Sequence, residues 1–262
     1  LEGELHYDGF TCGRYATDAS IYQMMPHGVV IPKNKDDIRA AIAFCKDQGM
    51  ALLPRGGGTS QCGQTVNHAL VLDNTKYLNS ILELDVKNQR CVVEPGIVLD
   101  ELNRQLKPHG LWFPVDVSTS SRATIGGMTA NNSCGGRSIR YGIMRDNVHA
   151  IDAFLADGSH AHFGAYDPTK LPPSGRLGKV LPDLLRLGAT HKDDILSSFP
   201  KVLRRVGGYN IDALIPDAMA LRPHGKVGDG INLAHLLVGS EGTLAYSTAI
   251  TLKLSSLPAR KV

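Results

Sequence analysis

Three glycines in a row, in Pro54-Arg55-Gly56-Gly57-Gly58-Thr59-Ser60, directly follow the apolar run Ala51-Leu52-Leu53. Without Cβ atoms the backbone can turn successive amides toward one point, and a nest of that kind holds phosphate oxygens. Thr59 and Ser60 add hydroxyl donors, and Arg55 adds positive charge. The setting constrains the fold as well. Val29-Val30-Ile31, closed by Pro32, reads as a strand. Asn34 suits a helix N-cap, Asp36 and Asp37 suit the positive end of the dipole, and Ile38, Ala41, Ile42 and Cys45 recur on one face before Gly49. Residues 29–53 therefore form a βαβ unit with parallel strands, and the glycine loop leaves its second strand. A plain glycine loop with no ligand is the alternative for this motif alone. A nucleoside-triphosphatase loop is excluded because no lysine follows the glycines, and a dinucleotide turn because they come after the second strand rather than the first.

Downstream, Ala69–Leu72 reads as a strand, and Ile81–Leu84 with Cys91–Glu94 as a hairpin turning near Lys87-Asn88. Val98, Leu99, Leu102 and Leu106 give a helix ending at Gly110, followed by an extended Trp112-Phe113-Pro114. Ala150–Leu155 and Ser159–Phe163 flank Asp157-Gly158, a hairpin signal that predicts an antiparallel sheet. Residues 165–178 read as a surface insertion, 179–187 and 192–205 as helices, and Ala245–Leu254 as a last strand of open register.

Composition narrows the class. Hydrophobic residues at 42% and charged residues at 20% are those of a packed globular chain, and 28 basic against 25 acidic side chains leave a net charge of +3 with no basic block. Nucleic acid is not expected as a partner, nor is a transmembrane segment. The five cysteines are odd in number and lack a CxxC pair, which speaks against a disulfide framework and for a reducing, cytoplasmic setting. The start at Leu1 and the stop at Val262 suggest a piece of something longer. His160-Ala161-His162 places two imidazoles on one strand face, read as a solvated hairpin rather than a metal site; no metal is expected.

Two further clusters carry the functional reading. Ile125-Gly126-Gly127-Met128-Thr129-Ala130-Asn131-Asn132-Ser133-Cys134-Gly135-Gly136, after Ser118-Thr119-Ser120-Ser121, leaves room for a flat ligand against backbone, with small-residue helix packing as the alternative. Val238-Gly239-Ser240-Glu241-Gly242-Thr243-Leu244 alone is only a turn into the last strand. In this order the three clusters, with Tyr15-Ala16-Thr17-Asp18-Ala19-Ser20, Val93-Glu94-Pro95-Gly96, Arg140-Tyr141-Gly142 and Gly207-Gly208-Tyr209-Asn210, span nearly the whole chain. The sequence resembles the FAD-binding domain of the vanillyl-alcohol oxidase / p-cresol methylhydroxylase superfamily. Within it, the chain is similar to the FAD-linked D-2-hydroxyacid dehydrogenases acting on D-lactate, glycolate or D-2-hydroxyglutarate, and most like their large iron–sulfur-associated members.

The resemblance implies an α+β, PCMH-type FAD-binding fold of two α/β lobes, one small and βαβ-containing (about 1–85), the other a mainly antiparallel sheet flanked by helices (about 86–262), with the C-terminal substrate domain absent. It places Arg55, Gly56, Gly57, Gly58, Thr59 and Ser60 around the FAD diphosphate, with Gly63 and Gln64 also against the cofactor. Pro114, Asp116, Ser118, Thr124, Gly126, Gly127, Thr129, Ala130, Asn132, Ser133, Gly135 and Tyr141 would border the flavin and ribityl chain, and Glu241, Gly242 and Ile250 would complete the site. Covalent members carry histidine where Thr59 stands, so the FAD is expected to be non-covalent. The reaction implied is oxidation of a small 2-hydroxyacid to its 2-oxo acid. Its catalytic residues, and any iron–sulfur cluster, are expected outside this chain. The electron acceptor stays open, with a membrane-peripheral electron-transfer partner among the expectations. Two other readings remain: a flavin module that docks on a separate catalytic chain, and an enolpyruvyl-type NADPH-dependent reductase on the same scaffold.

Overall fold

The computed structural model describes residues 1–215, 224 and 230–258. The first sheet has the order β1-β2-β4-β3, built from β1 (Glu4–His6), β2 (Gly28–Ile31), β3 (Leu52–Arg55) and β4 (Leu70–Asp73). β2, β3 and β4 run parallel and β1 antiparallel. The expected βαβ unit is present, but its two strands are not neighbours, because β4 returns between them. Helix α1 (Gly9–Tyr15) precedes β2, and α2 (Lys35–Asp47) covers the sheet with Ile38, Ala41, Ile42 and Cys45 packed on Val30, Leu70 and Leu72. Asn34 caps α2 as the sequence suggests, accepting from the amides of Asp36 and Asp37.

The second sheet has the order β5-β6-β12-β8-β9 and is antiparallel throughout. β5 (Ile81–Asp85) and β6 (Arg90–Val93) form the first hairpin, turned by Asp85, whose carboxylate accepts from the backbone and side-chain amides of Asn88. α3 (Leu99–Leu106) buries Leu99, Leu102 and Leu106 in the main core, each stabilising by about 1.5–3 kcal/mol relative to exposure. The short β7 (Leu111–Trp112), α4 (Ile125–Asn131) and α5 (Ser138–Tyr141) follow. β8 (Val148–Phe154) and β9 (His160–Phe163) form the second hairpin, with Gly158 at φ +82° in its turn. β10 (Ala165–Tyr166), α6 (Gly175–Thr190), α7 (Lys192–Ser198), β11 (Ile231–Asn232) and α8 (Ala234–Leu237) lead to β12 (Tyr246–Lys253), and β13 (Ser255–Ser256) pairs back on β7.

The expected α+β arrangement is therefore what is found: a small sheet with parallel strands and a larger antiparallel sheet flanked by helices. Three boundaries differ. β5 belongs to the larger sheet, so the passage between sheets lies between Asp73 and Ile81, short of the division at 85. The second helix of 192–205 stops at Ser198, where Pro200 biases Phe199 out of helical backbone. The insertion at 165–178 contains β10 and the start of α6.

The sequence reading missed β1 and α1, and the residues leading into β1 are fastened by Asp37. Its carboxylate accepts from the amides of Glu2, Gly3 and Lys33 at 2.8–2.9 Å. Burial pushes this carboxyl up, but those amides outweigh it and hold it below the ordinary aspartate range. A depressed carboxyl contributes stability above its unfolded pKa and loses it as pH falls through the folded one. Asp37→Asn is expected to cost about 2 kcal/mol at neutral pH and to flatten the acid limb of stability, read from melting temperatures between neutral and acidic buffers.

Candidate functional site

β3 and β4 end side by side, Arg55 opposite Asp73. At those carboxyl ends, where sheets with parallel strands bind ligands, lies a cavity of ≈ 490 Å³. The glycine loop forms one wall, the stretch before α4 and α4 itself a second, and the turn from Leu237 to Gly242 with Ala245 and Ser247 a third.

The loop is glycine because it is pressed against its neighbour. A Cβ on Gly56 would stand 2.1 Å from Thr124 Oγ1, and one on Gly57 2.3 Å from the Arg122 carbonyl oxygen. Gly58 adds a left-handed φ of +61°. The amides of Gly56, Gly57, Gly58, Thr59 and Ser60 have no acceptor among the described residues. α4 is different: its first amides are taken by the carbonyls of Ile97 and Pro95 and by Thr124 Oγ1. Donors for an anion therefore come from the loop, not from the helix start.

Arg55 lines the cavity, and much of its guanidinium is tied into the fold. Its guanidinium donates to the carbonyls of Tyr15, Thr65 and Thr17 at 3.0, 2.8 and 2.6 Å, lies over the Tyr15 ring, and is pushed down in pKa by burial against the pull of Asp18. It is a clamp between the loop and the segment before β2. Ala19 donates to the Gly58 carbonyl, and Thr65 Oγ1 to Asp18, closing the same side.

Of the other expected site residues, Gly56, Gly57, Gly58, Thr59, Ser60 and Gln64 line the cavity on the loop side. Ser118, Thr124, Gly126, Gly127, Ala130 and Ser133 line it on the α4 side, and Glu241 and Gly242 on the third wall. Glu241 has a left-handed φ of +53°. Burial pushes its carboxyl up, opposed by hydrogen bonds from Asn131 and Gln64.

The structure keeps the remaining candidates off the wall. Ile250 is wholly buried in β12, between Val93 and Ile151. Thr129 donates its hydroxyl to the Ile125 carbonyl. Gly63 lies beneath the Tyr22 ring, and Gly135 is pressed on Asp116, which accepts from the Arg137 amide. Pro114 is buried, and Tyr141 meets Trp112 edge-on. Asn132, also fully buried, accepts from the Arg145 amide.

That last contact opens the support behind the third wall. Arg145, with none of its surface exposed, donates to Asn210 and Asp212, and Arg205 donates to the same two side chains. Asn210 Nδ2 then donates to the Val238 carbonyl, while Gly239 and Glu241 hang by their amides on Thr129 and Ala130. His235, beside Arg145, is pushed down to about 3 by burial and that charge, so it stays neutral.

Sequence reasoning missed Asn74 and Ser247 on the wall, while Asn131 and Thr119 stand there within the clusters it singled out. Asn74 carried a usable signal, since it follows a strand parallel to the one bearing the loop. Cys62 and Cys134 both line the cavity. His160 and His162 lean on Asp152 at an exposed sheet edge, and among the described residues no group of three histidine, cysteine or acidic side chains is arranged to hold a metal.

A family model described as "FAD binding domain" matches residues 26–164, from just before β2 to the end of β9. The chain belongs to this family. Its cofactor is FAD, and the cavity suits it on three counts: the walls have no space for Cβ atoms at Gly56 and Gly57, the loop amides are unpaired, and Gln64 Oε1 is a buried acceptor with no partner among the described residues. D-2-hydroxyglutarate dehydrogenase of Pseudomonas putida is 35% identical over 100% of this chain and 25% of its own length. Glycolate oxidase subunit GlcD of Bacillus subtilis is 30% identical over 100% of this chain and 44% of its own, and D-lactate dehydrogenase of Archaeoglobus fulgidus is 30% identical over 86% and 38%. The chain thus spans about a quarter of the D-2-hydroxyglutarate dehydrogenase. Alkyldihydroxyacetonephosphate synthase, at 18% identity, superposes with a TM-score of 0.67 over 98% of this chain and 38% of its own, which shows the shared PCMH-type fold.

Gly57→Ala should drive the loop off the Arg122 carbonyl, a backbone atom that cannot swing aside. FAD uptake by this FAD-binding domain is expected to fall more than about tenfold, while far-ultraviolet circular dichroism stays native; titration of FAD fluorescence reads the change.

Proposed function

We propose that this chain is the FAD-holding part of a flavin-dependent dehydrogenase that oxidises a D-2-hydroxyacid of the D-lactate or D-2-hydroxyglutarate class to the 2-oxo acid. The observation that carries this reading is the 35% identity to a D-2-hydroxyglutarate dehydrogenase across the whole chain. When bound, FAD supplies the electron-pair acceptor. The chain's own residues bind and orient it: the Gly56–Ser60 amides hold its diphosphate, Gln64 accepts from it, and the α4 and Glu241 walls confine the remainder.

The substrate's carboxylate needs a cation, and the one this cavity has among its described lining residues is tied into the fold. Arg55 is the cationic side chain among the lining residues, and three of its five N–H donors go to carbonyls. Carboxylate binding and removal of the hydroxyl proton therefore fall to residues beyond the described ones, in the same polypeptide or in a companion chain. Among the described residues no helix is long and apolar enough to cross a membrane. The five cysteines are free thiols, which supports a reducing compartment, the cytoplasm in the simplest case.

The FAD is held without a covalent bond, because Thr59 offers no imidazole. Acid precipitation of the yellow protein is expected to leave its flavin in the supernatant. Flavin in the pellet would overturn this and direct attention to the Cys62 and Cys134 thiols. The full-length protein, kept anaerobic, is expected to bleach with D-lactate or D-2-hydroxyglutarate and not with NADPH. Bleaching by NADPH alone would replace the dehydrogenase reading with that of an enolpyruvyl-type reductase.

A further inference from the structure

Asn74 stands one residue past β4, beside the root of the glycine loop, and its backbone amide donates to the Arg55 carbonyl. The residue is 7% exposed, and its remaining surface lines the cavity. Its Oδ1 accepts from the Tyr246 hydroxyl. Tyr246 is itself buried, and burial pushes its phenol up, so the hydroxyl keeps its proton. The neighbouring Asp73 carboxylate does not compete for that proton, being held by Tyr15 and by both donors of Thr75.

A phenol has one proton to donate, and a primary amide has one end that accepts and one that donates. Turning the Asn74 amide round would set N–H against O–H and leave the buried Tyr246 proton without an acceptor. The phenol thus fixes which end of the amide faces it. The other end, Nδ2, has no acceptor among the described residues. It sits at the carboxyl end of β4, beside the loop that leaves β3, whose amides are unpaired as well.

We propose that Asn74 Nδ2 is a further donor to the diphosphate of a nucleotide cofactor, with Tyr246 as the positioning residue that locks its orientation. The ligand chemistry this selects is an acceptor-only anion, as in any nucleoside diphosphate, and the inference rests on the FAD reading above. Asn74→Asp keeps the shape, removes the donor and adds a negative charge. Tyr246→Phe keeps the donor but frees the amide to turn.

The test is a binding titration of the native chain and both variants with FAD, ADP and riboflavin, the last lacking phosphate, with circular dichroism to confirm folding. Asn74→Asp is expected to weaken FAD and ADP by at least about tenfold, and riboflavin by less than about twofold. Tyr246→Phe is expected to weaken FAD several-fold in the same selective pattern. FAD affinity unchanged in Asn74→Asp, or riboflavin weakened as much as FAD, overturns the inference and leaves the FAD assignment standing. Unchanged affinity in Tyr246→Phe overturns the lock, and should Asn74→Asp fail to fold, this variant decides alone. A native chain that binds neither FAD nor ADP removes both readings together.

Discussion

The glycine loop holds its shape because a buried guanidinium holds its root. Three glycines in sequence lose more conformational freedom on ordering than any other residues, and nothing within the loop itself compensates. Arg55 does so from outside, donating to carbonyls on both the segment before β2 and the segment after the loop. A buried cation satisfied by fixed carbonyls is a costly group to disturb, so the loop and its surroundings move together or not at all. The loop amides are therefore left unpaired while the loop's root is held, and a pre-arranged set of donors binds an anion with less ordering cost on arrival.

The opposite walls obey the same logic with different atoms. Glu241 sits in left-handed backbone, which a non-glycine residue adopts only where its surroundings impose it. The imposing contacts are the amide bonds of Gly239 and Glu241 to α4, and the Arg145, Arg205, Asn210 and Asp212 cluster that pins Val238 from behind. β12 joins the pieces: it is the middle strand of the larger sheet, Ser247 near its start reaches the cavity, and Tyr246 touches Asn74, just past β4 of the smaller sheet. The site is built across both sheets.

The legible parts of this fold were those specified locally. Asn34 at its cap, the α2 stripe, the Leu99, Leu102 and Leu106 face of α3 and the Asp157-Gly158 turn each carry their signal within a few residues, and each stands where the sequence puts it. What was not legible depends on partners far along the chain. β1 exists because Asp37 captures the amides of Glu2 and Gly3. The position of β4 between β2 and β3 is a tertiary choice that no periodicity records. Among the candidate site residues, the glycines of the loop line the cavity. Arg55 was read beside phosphate because charge next to a glycine run suggests it; the sequence cannot say that three of its donors go to the carbonyls of Tyr15, Thr17 and Thr65. Asn132 and Thr129 sit in a motif that does reach the cavity, yet helix geometry turns these two toward Arg145 and the Ile125 carbonyl.

That commitment of charge has a chemical meaning. With much of the Arg55 guanidinium tied into the fold, the cavity presents backbone amides, side-chain amides and hydroxyls, plus Glu241, whose carboxyl burial pushes up. Neutral donors hold a diphosphate by direction rather than by bulk charge, so affinity depends on each donor being aimed before the ligand arrives. Such a wall discriminates poorly by charge and well by shape, which suits a cofactor that stays bound.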